Sequence, residues 1–393
     1  MSLKIICVEF ENLKQFADGK FRVDFFATDR VLKKSEMFKI FEQCSYAKCY
    51  GIRRIERHGQ DDGFAPLENR FRNCNSQYRF ESVGRDQLDS RWHNNTNDFF
   101  YKEAYYQLES VVGCRNDTEE KKQTLYYKAE TLKTKRNVKI YSRAELTDFT
   151  DAKNVEVINR LSIEKDEAKY LDESKSIVYP VIRDNNSYVS GNLWQSFINP
   201  AVLSGKTPSE VLEVFDESIE EFSVPNSLSK DKPTWVLKFK NDNLVYSGDN
   251  MLEPNFLIST GTISGQNLIR NAIIVLKKGG YLLVDEWEAH LNKELLRVIL
   301  GLFGSRETNP KGACLIFSTH YVEILDFGIL NRKDNIYITR KKNYLLSAGK
   351  FSDEFKRNDI KKSEIILSNA LTGTAPKYEA IERLRGYVCK QVS

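Results

Sequence analysis

The sequence predicts an α/β protein with a mixed central sheet, and three local patterns support that class. Residues 281–284 (YLLV) and 315–317 (LIF) are wholly apolar runs, which suit strands buried on both faces. Between residues 268 and 276 apolar side chains recur at helical spacing, and this pattern stops at two lysines and two glycines, as a helix C-terminus does. Helices that alternate with buried strands are the repeating unit of α/β sheets.

Residues 1–150 are predicted to form the first lobe of the protein. Within it, residues 105–112 (YYQLESVV) and 124–132 (TLYYKAETL) alternate aromatic or apolar side chains with polar ones. That alternation is typical of antiparallel strands with one buried face. We therefore expect an antiparallel β subdomain here.

The remaining chain divides into three further regions. Residues 151–232 show acidic segments at helical spacing and are predicted to form a mostly helical insertion. Residues 233–343 are predicted to form a second lobe, which opens with a β-hairpin around residues 241–243 (NDN). Residues 344–393 are a tail that we expect to start irregularly and to end in a helix packed on the second lobe.

Polar side chains follow both apolar runs, at the edge where α/β sheets bind their ligands. Asp285 and Glu286 follow the first run, and Ser318, Thr319 and His320 follow the second. One acid there can hold Mg²⁺ through water and another can activate an attacking water, which is the chemistry that phosphoryl transfer needs. The alternatives are that the acids cap the next helix and that His320 is structural.

A small, hydroxyl-rich turn precedes the predicted helix. It consists of Ser259, Thr260, Gly261 and Thr262. Free backbone N–H groups and the helix dipole make such a helix N-terminus favourable for an anion. The alternative is an ordinary helix cap.

Together these segments resemble the ABC-type ATPases, and among them the AAA-domain ATPases related to the SMC, RecF and OLD proteins, many of which serve in bacterial anti-phage systems. Ser259–Thr262 resembles the signature motif, residues 282–286 resemble Walker B, and His320 resembles the switch histidine. The similarity extends to the two opening strands in residues 4–25 and to DNIYI (334–338), RNDIKKS (357–363) and GTAPKY (373–378). It leaves the middle of the chain weakly placed.

The resemblance implies a P-loop NTPase fold of ABC-ATPase type with ATP and Mg²⁺ as cofactors. Asp285 would hold the metal, Glu286 would be the general base, and His320 would sense the γ-phosphate. The signature turn would contact ATP bound to a second subunit, which implies a homodimer that encloses nucleotide between its subunits. Asn292 stands where many relatives have an acid that contacts the partner, so that contact is in doubt.

One part of the family pattern is missing. The phosphate loop GxxxxGK[ST], whose backbone N–H groups and lysine hold the phosphates, does not occur in the chain. At the expected place, residues 49–101 contain eight arginines and no lysine. Back-translating residues 54–62 and reading one base later can encode Gly-Leu-Asn-Ala-Thr-Gly-Lys-Thr-Thr, an intact phosphate loop.

This coincidence leads to the hypothesis that residues 52–95 are read in a shifted frame. The shift would begin before about Arg53 and would be reversed between about Asp89 and Asn97. The alternative is a diverged, arginine-rich insert that forms a basic patch for nucleic acid.

The sequence is compatible with two functions. The first is an ATPase that couples ATP binding and hydrolysis to dimerisation and to control of a separate nuclease or other effector, with DNA as a further partner, in anti-phage defence or DNA transactions. The second is a catalytically inactive relative that acts as a dimerising scaffold. A nonfunctional frameshifted product is a third possibility.

Composition agrees with a protein of the cytoplasm. The net charge of +4 is weak evidence for nucleic acid, and the seven cysteines contain no CxxC pair for zinc. No targeting signal or membrane-spanning run is visible. Glu288 and His290 are predicted to be surface helix residues, and Trp287 is predicted either to pack near adenine or to fill the interface between the lobes.

Overall fold

The structure is a computed structural model that describes residues 3–27, 37–41, 44–47, 49–53, 93–117, 122–151, 153–163, 173–183, 188–192, 205–224, 234–250, 253–288, 291–328, 332–342, 345–357, 359–368 and 378–392. The frameshift hypothesis falls mainly on residues 54–92, which lie outside this description. Its strands are β1 (Lys4–Glu11), β2 (Lys20–Asp24), β3 (Met37–Phe41), β4 (Cys44–Ala47), β5 (Cys49–Arg53), β6 (His93–Tyr101), β7 (Ala104–Asp117), β8 (Lys122–Arg136), β9 (Glu156–Asn159), β10 (Tyr188–Asn192), β11 (Gly205–Lys206), β12 (Ile219–Val224), β13 (Trp235–Phe239), β14 (Val245–Gly248), β15 (Gly280–Val284), β16 (Cys314–Thr319), β17 (Ile336–Lys342) and β18 (Leu345–Lys350). Its helices are α1 (Arg143–Thr147), α2 (Tyr179–Ile182), α3 (Ser209–Phe215), α4 (Pro254–Leu257), α5 (Thr260–Lys278), α6 (Lys293–Gly304), α7 (Phe351–Glu354), α8 (Lys362–Leu367) and α9 (Tyr378–Val392).

These elements form a mixed α/β architecture. A six-stranded antiparallel sheet has the order β2-β1-β6-β7-β8-β9, and a six-stranded central sheet has the order β10-β15-β16-β5-β17-β18. In the central sheet all neighbours pair in parallel except β17 and β18. A four-stranded antiparallel sheet (β11-β12-β13-β14) and the hairpin β3-β4 complete the described strands.

The central sheet is covered on both faces, which explains why its strands are wholly apolar. Tyr281 and Leu283 pack into the same cluster as side chains of β1, β2, β6 and β7. Leu282 and Val284 pack instead into the cluster formed by α5 and α6. Because successive side chains of a strand point to opposite faces, each one is buried, and each contributes roughly 1.5–3 kcal/mol. The prediction from YLLV is confirmed.

Hydrogen bonds between residues far apart in sequence join the antiparallel sheet to the central sheet. Lys4 Nζ donates to the carbonyls of Lys311, at 3.0 Å, and Gly312, at 2.5 Å. The Tyr281 hydroxyl accepts from the Ile5 N–H at 2.6 Å. Burial lowers the pKa of Lys4 to about 8, because the charged ammonium loses its water. The first strand of the chain is therefore anchored to its last third.

The prediction of a mostly helical segment at 151–232 is wrong for the residues that are described. That part contains β9, β10, β11 and β12, while α2 and α3 have only four and seven residues. Part of the apparent helical spacing comes from β12, where the register of its pairing with β13 shifts between Ile219 and Glu221. Such a bulge brings Ile219 and Phe222 into one buried cluster, three residues apart, which imitates helical spacing.

The hairpin predicted around residues 241–243 is confirmed, since β13 and β14 pair antiparallel on either side of it. The antiparallel strands predicted in the first lobe are confirmed as β7 and β8. The tail starts in regular structure, because β18 pairs with β17, and not irregularly as expected. Its final helix α9 exists but has no buried residue, so the expected packing on the second lobe is wrong. The four-region division of the chain stays a prediction.

Candidate functional site

The candidate site lies at the carboxyl ends of three neighbouring parallel strands. β15 and β16 end side by side, with Val284 paired to Phe317. On the other side of β16, Thr319 pairs with Arg53, the last residue of β5. The acids after β15, the polar residues of β16 and the exit of β5 therefore share one edge of the sheet.

Ser318 joins the ends of β15 and β16. Its hydroxyl donates to Asp285 Oδ1 and accepts from the Glu286 N–H at 2.6 Å. The Trp287 N–H donates to the Ser318 carbonyl at 3.4 Å. Asp285 is buried. One serine thus fixes both the side chain of the first acid and the backbone of the second.

Glu286 carries the most exposed carboxylate of the three acids in this turn. Its side chain is 45% exposed, and its φ of 44° lies in the left-handed region, which is unfavourable for a residue with a Cβ. Glu286 Oε1 lies 3.6 Å from His320 Nε2, within reach of an ion pair but beyond a hydrogen bond. The imidazole is 32% exposed. Its Nε2 atom is buried, however, so only the Glu286 carboxylate of this pair is open to the edge.

Glu288 was predicted to be a surface residue, and the structure corrects this. It is only 8% exposed, and its Oε1 accepts a hydrogen bond from the backbone N–H of His320. The expectation rested on helical continuation after the acids, but α6 begins only at Lys293. Residues 285–288 therefore form a turn whose side chains can reach the neighbouring strand. His290 lies outside the described residues.

Trp287 is a core residue. It is fully buried, and its ring stacks on Phe317 with the ring centroids 4.0 Å apart. It belongs to the cluster of α5 and α6. The prediction placed it near adenine or in the interface between the lobes, whereas its described contacts lie within this cluster, which contains no residue of the first lobe.

The signature-like turn forms the N-terminal cap of α5. The Ser259 hydroxyl accepts from the Thr262 N–H at 3.0 Å and lies 2.8 Å from Thr262 Oγ1. Thr260 and Gly261 form the first turn of α5, which has 19 residues. The capping alternative accounts for Ser259 in this structure. An anion-binding role for the turn stays a prediction.

Asn292 also caps a helix, since its side chain accepts from the Glu294 N–H at 2.9 Å. Its local role at the start of α6 is therefore clear. The doubt about its contact with a partner subunit belongs to the prediction made from the resemblance.

A Gly-Lys-Thr sequence does occur at residues 205–207, but it is not a phosphate loop. Pro200 stands where the first glycine of the motif should be. Gly205 and Lys206 form β11, and Lys206 Nζ pairs with Glu221 Oε2 at 2.9 Å. The Thr207 hydroxyl donates to Gln266 at 3.2 Å. These side chains serve the four-stranded sheet and its contact with α5.

Asp285 is the metal ligand that the resemblance implies. Among the described residues no group of three or more His, Cys, Asp or Glu side chains could hold a metal ion. Mg²⁺, however, commonly takes only one or two carboxylates together with waters and phosphates. Asp285 is compatible with that mode.

No helix in the described part of the chain is long and apolar enough to cross a membrane.

Comparisons with known proteins give a distant structural neighbour. No protein-family model and no curated protein sequence matches the chain. Among solved structures it is similar to the SMC head domain from Thermotoga maritima, at a TM-score of 0.34 and 8% sequence identity. That similarity covers 88% of this chain and 98% of the neighbour. Likeness at this level is too low to argue from, and the chain's own sheet order shows a mixed α/β protein with several antiparallel sheets.

Proposed function

We propose that this chain descends from an ABC/SMC-like ATPase that binds ATP and Mg²⁺ at the carboxyl edge of the central sheet. The restored chain, in which residues 52–95 are translated in the shifted frame, is that ATPase. One observation carries the proposal. Asp285, Glu286 and His320 lie together at the ends of β15 and β16, and β5 ends beside them. Parallel α/β sheets bind ligands at this edge.

The three side chains divide the work of phosphoryl transfer. Asp285, held by Ser318, would contribute the carboxylate for Mg²⁺, which neutralises phosphate charge when it is bound. Glu286 would accept the proton of an attacking water at Oε1, because its carboxylate is exposed at the edge. His320 would donate from Nε2 toward the terminal phosphate. Because Glu286 Oε1 and His320 Nε2 lie 3.6 Å apart, they would act on neighbouring atoms of the water and the terminal phosphate.

The phosphate cradle is the part that the printed chain does not supply. A phosphate loop follows the strand that delivers it to the edge, and β5 ends at Arg53 next to Thr319. The shifted frame would begin its Gly-Leu-Asn-Ala-Thr-Gly-Lys-Thr-Thr at residue 54, directly after this strand. The position of β5 therefore supports the frameshift hypothesis over an unrelated insert.

Dimerisation and partners follow from the same proposal. Ser259, Thr260, Gly261 and Thr262 would contact ATP held by a second copy of the chain. ATP-driven closure of this homodimer would control a separate nuclease or other effector, in anti-phage defence or in DNA transactions with DNA as a further ligand. The cytoplasm is the expected compartment.

Sequencing of the coding DNA and nucleotide binding test the proposal. Compared with the coding DNA of an in-frame relative, we expect two compensating one-base insertions or deletions that flank codons 52–95. We expect the restored chain to bind Mg-ATP and to hydrolyse it. Glu286→Gln in the restored chain should then lower turnover by about a hundredfold or more while binding persists. A restored chain that does not bind Mg-ATP would contradict the proposal.

A dimerising scaffold is the second candidate. It is favoured by the absence of GxxxxGK[ST] from the chain and by the use of Ser259 as a helix cap. Turnover by the chain as printed that is lost in Glu286→Gln would exclude the scaffold. Mg-ATP affinity that survives Asp285→Ala would instead contradict the metal-holding role on which the ATPase mechanism depends.

A further inference from the structure

Glu288 is a buried acid that the proposed chemistry does not use. Its Oε1 accepts the hydrogen bond from the His320 N–H, across 32 positions of sequence. Its Oε2 is buried and has no hydrogen-bond partner among the described residues. A buried carboxylate oxygen without a partner is costly, so this residue is not explained by fold stability alone.

Glu288 and Ser318 join the same two strand ends in opposite directions. Ser318, on β16, holds Asp285 and the backbone of Glu286 after β15. Glu288, after β15, holds the backbone of His320 after β16. The first connection fixes the acids, and the second fixes the histidine.

His320 follows Thr319, which pairs with Arg53 in the sheet. Its neighbour Tyr321 donates from N–H to Thr319 Oγ1 at 3.1 Å, which shapes the turn locally. The imidazole itself makes no hydrogen bond to described residues through Nε2. The separation of 3.6 Å between His320 and Glu286 therefore depends on where the backbone is anchored.

We infer that Glu288 is a positioning residue that sets His320 against Glu286 by accepting the His320 backbone N–H. The inference rests on the proposed function only in that Glu286 and His320 are the reacting pair. A glutamate side chain suits this task because it carries an oxygen acceptor from the end of β15 to the His320 N–H after β16. Glutamine keeps an oxygen acceptor of the same reach, and alanine removes it.

The test measures the coupling of Glu286 to His320 without nucleotide. The chain has four histidines, so histidine-selective ¹³C and ¹⁵N labelling gives few NMR signals, and His320→Gln assigns one of them. Glu286→Gln should shift the His320 imidazole signals in the otherwise unchanged chain. The same substitution should shift them in Glu288→Gln and leave them unmoved in Glu288→Ala.

Amide hydrogen exchange is the second measurement, and it remains informative if Glu288→Ala folds poorly. The His320 amide should exchange at a rate near the unsubstituted one in Glu288→Gln and about tenfold faster or more in Glu288→Ala, while the β16 amides stay protected. An equal response to Glu286→Gln in Glu288→Ala would overturn the inference. The inference would also be overturned if Glu288→Gln abolished both the response of the His320 signals to Glu286→Gln and the protection of the His320 amide. Because no nucleotide is used, failure here is distinct from failure to bind ATP.

Discussion

The left-handed backbone of Glu286 allows a quantitative test of strain at the candidate site. Its φ of 44° places Cβ close to the following carbonyl oxygen. Replacing it by glycine removes that contact, while alanine keeps Cβ and therefore keeps the strain. Both variants remove the carboxylate, so their difference isolates the backbone.

Two opposing effects set the expected size. A residue with a Cβ in this region costs roughly 1–2 kcal/mol relative to glycine. Glycine raises the entropy of the unfolded chain, which costs about 0.4–1 kcal/mol. We therefore expect Glu286→Gly to be more stable than Glu286→Ala by roughly 0.5–1 kcal/mol.

Urea unfolding followed by circular dichroism measures this difference through the midpoints, provided that the two variants share one slope. Val298, exposed in the middle of α6, is the matched control, since glycine there should be less stable than alanine by about 1 kcal/mol. The sign should thus reverse between the two positions. If Glu286→Ala equals or exceeds Glu286→Gly in stability, the inference of strain is refuted.

Three further predictions concern buried groups and packing. The pKa of Lys4 is about 8 in the folded chain and 10.5 in the unfolded chain, so the unfolded chain binds more protons between these pH values. The free energy of unfolding should therefore rise by roughly 3 kcal/mol as pH increases through this window. Calorimetry from pH 7 to 10 should show the rise, and Lys4→Met should abolish it. Burial raises the pKa of Asp98 from 3.8 to about 7, so its contribution to stability is lost as pH rises across that window, and Asp98→Asn should flatten the pH dependence measured by urea unfolding from pH 4 to 8. Gly265→Ala would place a Cβ against the Phe215 ring and should lower stability by about 1–3 kcal/mol, whereas Gly301→Ala meets open space in α6 and should raise it by up to about 1 kcal/mol in the same assay. If Lys4→Met or Asp98→Asn leaves the pH dependence of the unfolding free energy unchanged, the corresponding pKa shift is contradicted. Equal effects of Gly265→Ala and Gly301→Ala on stability would contradict the packing argument.

The sequence predicts the elements around the candidate site well, because their signals are local. The end of α5 is one example: Gly279 has a φ of 74°, which ends the helix and lets β15 start at once. Buried parallel strands likewise carry their own signature in uninterrupted apolar runs. Asp285, Glu286 and His320 could therefore be placed at one edge before their geometry was known.

The contacts that organise this edge could not be predicted in the same way. The hydrogen bond from His320 to Glu288 depends on the pairing of β15 with β16 and on a turn in which helical periodicity does not apply. In β12, a local bulge gave strand residues a helical spacing. Both errors arise where pairing between distant segments overrides the local pattern.

The anchoring of the first strand bears on how the chain folds during synthesis. Lys4 finds its acceptors 307 and 308 residues later, and the Asp24 N–H finds the Tyr337 hydroxyl 313 residues later. A ribosome must therefore synthesise the chain beyond Tyr337 before β1 and β2 can complete their contacts. Until then their apolar faces depend on temporary protection, and a fragment cut near residue 150 should lack the partners that its opening strands need.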